Sequence, residues 1–300
     1  MAVEPPGRFN GSRLADGHTG RLGSQAVALR ESRSEGIRFE PLSTHVGAVV
    51  HGDAVLSGSP SESALRTIRS ALGRYLVLVF EGESLSPSDL RDLTSHFGEP
   101  HVHHDDEGVI RVDGVPEVLE MRKEPSGTRL FGGECWHADV TFAKPAGYVS
   151  ILHALTIPPV GGDTAFSSTV AAFAALSSTM KDLLRGLDAV HSYDGPTKPD
   201  RDGLTAVHPV VRRHPGTGVE GIYLNRMFVV RFVGMSAYES RPIIDFLDQH
   251  MTRPEFSCRI RWREGHVVMW DNRFTLHYPI DDVVGHERLL LRCVALEPPE

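Results

Sequence analysis

The chain has 300 residues, 40% hydrophobic and 23% charged, the balance of a globular protein large enough to bury a substantial core. Lys and Arg number 31 against 39 Asp and Glu, and the net charge of −8 argues against a nucleic-acid partner, whose phosphates demand a surplus of cations. Three scattered cysteines (Cys135, Cys258, Cys293) without a C-x-x-C exclude a disulfide scaffold or zinc ribbon and fit a reducing, cytoplasmic setting.

Residues 1–35 are rich in Gly, Ser and Arg, lack apolar periodicity, and read as a flexible N-terminal arm. One folded domain is expected over 36–300. Its structure should begin near Ile37, where IRFEPL and HVGAVV read as short strands. SPSESALRTIRSALGRY opens on capping residues and spaces Leu65, Ile68 and Leu72 along one helical face. LVLVF (76–80) is a buried strand, and SPSDLRDLTSHFG repeats the cap-then-helix pattern up to Gly98.

Beyond Trp136 the texture turns to β. YVSILHALTI, TAFSS, TAVHPVVRRH, IYLN, FSCRIRW, HVVMW and RLLLRCVAL are short β-rich runs bounded by Gly, Pro and Asp. Two helices, SSTVAAFAALSSTMKDLLRGL and SAYESRPIIDFLDQHM, interrupt them. Strands without strict β-α alternation exclude a doubly wound sheet and favour a sandwich or barrel with helical cover. The Pro- and Gly-rich stretch 193–206 reads equally as a lid or as a disordered connection. No run of about 18 apolar residues is present to span a membrane.

Glycines 216, 218 and 221 match G-x-G-x-x-G, but a strand-like run follows where a dinucleotide site needs a helix, so they read as a hairpin turn. Sixteen histidines direct attention to imidazole chemistry. In W-H-A-D-V-T-F, His137 and Asp139 stand two apart, which on a β-strand puts both on one face. His277, 140 residues on in W-D-N-R-F-T-L-H-Y, is the best third ligand. Two histidines and a carboxylate form the facial triad of non-haem Fe(II) oxygenases, although the same set also suits Zn(II), and an isolated H-x-D is commonly a turn pair.

Taken with G-G-D-T and the C-terminal arginines, these motifs resemble the taurine dioxygenase and chlorophenoxyacetate dioxygenase family, in matching order from about Ile37 to Leu296. The resemblance implies a mainly β fold with flanking helices around a double-stranded β-helix (jelly-roll, cupin-like) core. It implies oxidation of an unactivated C–H bond of a small anionic substrate, with Fe(II), O2 and 2-oxoglutarate, releasing succinate and carbon dioxide. His137, Asp139 and His277 would bind iron. Thr164 and Arg288 would hold the far carboxylate of 2-oxoglutarate, for which a planar guanidinium is well shaped. Arg292 would take the substrate anion, sharing a strand face with Arg288 if that strand is undistorted. His103 and Phe228 would line the substrate pocket, and Asp271 and Asn272 would order the turn before His277.

Two positions depart from taurine-specific members: Asp106 replaces a tyrosine and Gly133 an asparagine. These losses argue against taurine and towards a tailoring step on a biosynthetic intermediate, with alkylsulfonate or alkylsulfate catabolism as the alternative. A Zn-dependent hydrolase or a non-catalytic metal-binding barrel would need neither the Thr164/Arg288 pair nor both arginines. The resemblance leaves a homo-oligomer, dimer or tetramer, open.

Overall fold

The computed structural model describes residues 28–34, 36–52, 56, 60–104, 109–127, 135–195 and 204–298. The early strands are β1 (Ser32–Ser34), β2 (Ile37–Pro41), β3 (Ala48–His51), β4 (Val77–Phe80), β5 (Arg111–Val112) and β6 (Val115–Lys123). Then come β7 (Gly147–Thr156), β8 (Thr164–Ser168), β9 (Asp188–Ser192), β10 (Thr205–Pro209), β11 (Val211–Arg213), β12 (Glu220–Ile222) and β13 (Val229–Phe232). The last are β14 (Ser257–Ile260), β15 (Val267–Asp271), β16 (Thr275–Pro279) and β17 (Arg288–Leu296). Five helices accompany them: α1 (Glu62–Tyr75), α2 (Pro87–Ser95), α3 (Thr169–Ala175), α4 (Ser178–Arg185) and α5 (Ala237–Met251).

A nine-stranded sheet runs β1-β2-β3-β4-β15-β7-β17-β6-β5, antiparallel except where β3 meets β4. A three-stranded sheet, β14-β8-β16, packs against it. Val77, Val79, Leu152, Val268, Trp270 and Leu290 from the large sheet meet Phe166 and Ile260 from the small one. The large sheet's other face holds Leu78, Phe80, Ile151, Met269, Leu291 and Cys293 against Ile68 and Leu72 of α1 and Leu90 and Leu93 of α2. β4 is therefore apolar at every position because both its faces are covered. This is the double-stranded β-helix with helical cover.

Local chemistry accounts for the element boundaries. Ser61 caps α1 through Ala64 N, and the helix ends at Leu76 in the left-handed region. The long helix expected over 167–187 is instead two, α3 and α4. Leu176 is extended, and the Ser177 hydroxyl accepts from Met180 N, starting a second helix where one apolar period had been read. The sheet also starts earlier than Ile37, since β1 already pairs with β2. Residues 1–27 lie outside the described set, as do 196–203 of the expected lid. Strand β6 has no clear signature in the sequence, because Glu117, Glu120, Arg122 and Lys123 break its apolar pattern. Gly216 and Gly218 sit in the turn between antiparallel β11 and β12, so the glycine motif is a hairpin. Of IYLN, only Ile222 belongs to a strand.

Among the described residues, no helix is long and apolar enough to cross a membrane. Ile68 on α1 is fully buried, whereas Leu183 on α4 is 46% exposed. Ile68→Ala should cost about 2–5 kcal/mol and lower the urea midpoint, while Leu183→Ala should stay within about 0.5 kcal/mol of wild type. Equal midpoints for the two variants would contradict this packing.

Candidate active site

His137 and His277 meet across an isolated bridge closed by two backbone hydrogen bonds, His137 N to His277 O at 3.0 Å and the reverse at 2.8 Å. Their rings lie 4.1 Å apart, centre to centre. Asp139 does not continue a strand, as its spacing from His137 had suggested. It begins a turn in which Val140 takes a positive φ of 55°, and this turn swings the carboxylate back towards the imidazoles. One ligand atom from each of His137, Asp139 and His277 lies within 4.8 Å of the others, and all three residues are buried. His137 Nδ1 bonds the Cys135 carbonyl at 2.9 Å. A carbonyl only accepts, so Nδ1 carries the hydrogen and Nε2, 3.9 Å from Asp139 Oδ1, keeps its lone pair. Burial lowers the pKa of both histidines, that of His277 to about 3, so both are neutral donors near pH 7. Two neutral imidazoles and a carboxylate suit a divalent first-row metal.

The carboxylate is held from both sides. Asp139 Oδ2 accepts from Ser150 Oγ at 2.6 Å and Oδ1 from Arg292 Nη1 at 3.0 Å. Burial alone would raise its pKa, but Arg292, His277, His137 and the Ser150 hydroxyl hold it below the ordinary carboxylate range. Asn272 organises the other side. Its Oδ1 accepts from Asp139 N and Trp270 Nε1, and its Nδ2 donates to Ser150 Oγ at 2.8 Å. Asn272 therefore does more than shape a turn. That role falls to Asp271, which binds Arg273 through both oxygens. Gly147 opens β7 directly under this turn, where a Cβ would sit 2.4 Å from Asp139 O.

Arg288, Leu290 and Arg292 share one face of β17. That strand pairs with β6 in unbroken register, and the register shift with β7 between the two arginines comes from Leu155, an extra residue in β7. Arg288 is 3% exposed and makes no ion pair among the described residues; its Nε donates to Gly162 O at 3.0 Å. Burial lowers its pKa to about 10, against the opposing charges of Asp163 and Asp281. Gly162 has a φ of 72°, and a Cβ there would meet Arg288 Cδ at 2.9 Å. Thr164 Oγ1 accepts from Trp262 Nε1 at 3.0 Å, which leaves the hydroxyl hydrogen free to donate elsewhere. Trp262 also lies 6.0 Å below the Arg288 guanidinium. From sequence alone it is only the end of a strand-like run.

His103 is buried, with its ring 5.8 Å from that of Tyr193. Tyr193 packs on Phe142 at 4.8 Å, and Phe142 on Phe228 at 5.1 Å. These rings form one wall, of which the sequence reading singled out only His103 and Phe228. His101 joins its edge, and burial followed by neighbouring charge lowers the pKa of His101 to about 3 and of His103 to about 4. Asp106 and Gly133 lie outside the described residues.

The model of the family described as "Taurine catabolism dioxygenase TauD, TfdA family" matches residues 38–294. An alkylsulfatase of Acinetobacter baylyi is 33% identical over 280 residues, covering 87% of this chain and 86% of the relative. An alpha-ketoglutarate-dependent sulfate ester dioxygenase of Pseudomonas putida is 33% identical over 270 residues, covering 84% and 87%. The crystal structure of a taurine dioxygenase from Burkholderia xenovorans superposes with a TM-score of 0.76 at 35% identity, covering 88% of this chain and 90% of that one.

Two outcomes follow from the site geometry. Asn272→Ala should weaken Mn(II) binding about 10–100-fold by freeing Ser150 and the Asp139 backbone; an unchanged dissociation constant would remove Asn272 from the site. The depressed values of His101, His103, His208 and His277 mean that the unfolded chain takes up protons near pH 6.5 while the folded chain does not. Histidine-linked stability is thus fully present above about pH 6.5 and declines from there towards about pH 4, by up to about 1.4 kcal/mol per pH unit for each histidine. Calorimetry of the metal-free protein from pH 8 to 4.5 checks this, and a flat melting temperature would contradict it.

Proposed function

The chain belongs to the TauD, TfdA family and is a 2-oxoglutarate-dependent non-haem iron dioxygenase; from that premise we propose the substrate class and the residue roles. The reaction is oxidation of an unactivated C–H bond in a small anionic molecule, with release of succinate and carbon dioxide. His137, Asp139 and His277 would hold Fe(II). Iron bound with 2-oxoglutarate would supply the electrons that activate O2, the oxidant of the C–H bond.

The protein's own residues bind, orient and exclude water. The observation that carries the reading is Arg288, a buried guanidinium without an ion pair among the described residues, which shares the neighbour Trp262 with the Thr164 hydroxyl. Such a pair fits the far carboxylate of 2-oxoglutarate, the guanidinium supplying charge and the hydroxyl a directed hydrogen. Arg292 would hold the substrate anion at the Asp139 side of the same strand face. His103, Phe142, Tyr193 and Phe228 would wall the pocket and keep the reacting carbon dry. Where that carbon carries an oxygen-linked sulfate, oxidation makes a product that loses the group. Where it carries none, the alcohol is the finished product, as a tailoring step requires. A zinc hydrolase fits less well, since it has no use for the Arg288–Thr164 pair.

Arg288→Ala should raise the KM for 2-oxoglutarate about 10–100-fold with little change in the prime-substrate KM, the loss expected for a charged hydrogen bond. An unchanged 2-oxoglutarate KM would take Arg288 out of this role. Succinate release should be stimulated by members of a panel of alkyl sulfates, sulfonates and carboxylates. Stimulation by neutral alcohols alone would contradict an anionic substrate.

A further inference from the structure

Arg292 touches a proposed metal ligand and the proposed substrate site at once. Its Nη1 donates to Asp139 Oδ1 at 3.0 Å, and the two side chains are only 11% and 3% exposed. Its Nε is buried and has no hydrogen-bond partner among the described residues. His101 and His103, which feel the charge of Arg292, are held neutral near pH 7 by burial and so supply no counter-charge. Asp139 is the only carboxylate paired with Arg292 among the described residues.

The charges of this dry site can be followed as it fills. Asp139 and Arg292 alone sum to zero. A divalent metal on Asp139 raises the sum to two positive charges, with the guanidinium facing the metal through one carboxylate. At low effective dielectric such a repulsion is costly, and a substrate anion on the free edge of Arg292 relieves it. Linkage then requires the converse, that the metal favours the anion.

We infer that Arg292 couples metal binding to substrate-anion binding through Asp139, so that each strengthens the other before any chemistry occurs. The inference rests on the proposed roles of Asp139 and Arg292. Ser150 and Asn272 hold the far oxygen and the backbone of Asp139 whether or not Arg292 is charged, so the carboxylate stays in place while its partner's charge is offset. Asp139 thereby serves as the shared element that both sites bias.

The test is the affinity for Mn(II) alone, read from the free-ion electron paramagnetic resonance signal, with and without inorganic sulfate and in the absence of 2-oxoglutarate. In the wild type, saturating sulfate should tighten Mn(II) binding about fivefold or more. R292Q keeps a neutral donor for Asp139 and removes the charge. It should bind Mn(II) more tightly than the wild type without sulfate, and sulfate should no longer matter. R292K, which keeps the charge, should stay close to the wild-type affinity without sulfate. A merely structural arginine predicts the opposite order, with R292Q the weakest. Weaker Mn(II) binding by R292Q, or a sulfate effect that survives in R292Q, would overturn the coupling while leaving the metal site standing. Failure of the wild type to take up Mn(II) at all would overturn the proposed metal site, and the coupling with it.

Discussion

Two backbone hydrogen bonds between His137 and His277 join segments 140 residues apart, and the rest of the site depends on that bridge. His277 arrives on β16, a strand of the small sheet, while His137 belongs to a segment with no strand of its own. Once the bridge is closed, the turn at Val140 returns the Asp139 carboxylate to the two rings. The close approach of β7 to that turn, where Gly147 N donates to Val140 O, keeps the turn in place. The large sheet contributes the other half through β17, whose single face carries both arginines. A jelly roll suits this task because its facing sheets bring residues distant in sequence onto one dry interior.

Electrostatics then divides that interior into two binding regions. Arg288 is a buried cation over Trp262, whose Nε1 donates to the Thr164 hydroxyl oxygen and leaves its hydrogen to donate elsewhere. Arg292 is a partly buried cation already balanced by a carboxylate. Under the proposed roles, the first would take a free carboxylate, and the second an anion that shares the guanidinium with Asp139. Neither arginine would be stable this deep without partners, and Gly162 O and Asp139 supply them. The same burial keeps His137 and His277 unprotonated near neutral pH and ready to act as ligands.

The metal triad was legible because the chemistry restricts the residue types and because His137 and Asp139 lie so close in sequence. A bridge and a left-handed turn bring them together, where their spacing predicts a shared strand face. Both arginines were singled out through the family resemblance, and the condition attached to them, a shared strand face, is met in β17. What stayed hidden were residues whose roles depend on distant partners. Ser150 sits within an apolar run and looks like a weak strand residue, yet it fixes Asp139 Oδ2. Trp262, Tyr193 and Phe142 carry no local signal, since an aromatic ring in a β segment reads as core. The break between α3 and α4 was visible in principle, because Ser177 can cap as well as continue a helix. Strand β6 was not, because its charged residues find partners such as Asp281 and Glu287 only after folding.

The most direct test of the assembled site needs no prime substrate. Under anaerobic conditions, Fe(II) followed by 2-oxoglutarate should produce a weak visible metal-to-ligand charge-transfer band in the wild type and none in His137→Ala. A wild type that shows no band at saturating Fe(II) and 2-oxoglutarate, while binding Zn(II) tightly, would contradict this account of the His137–Asp139–His277 centre.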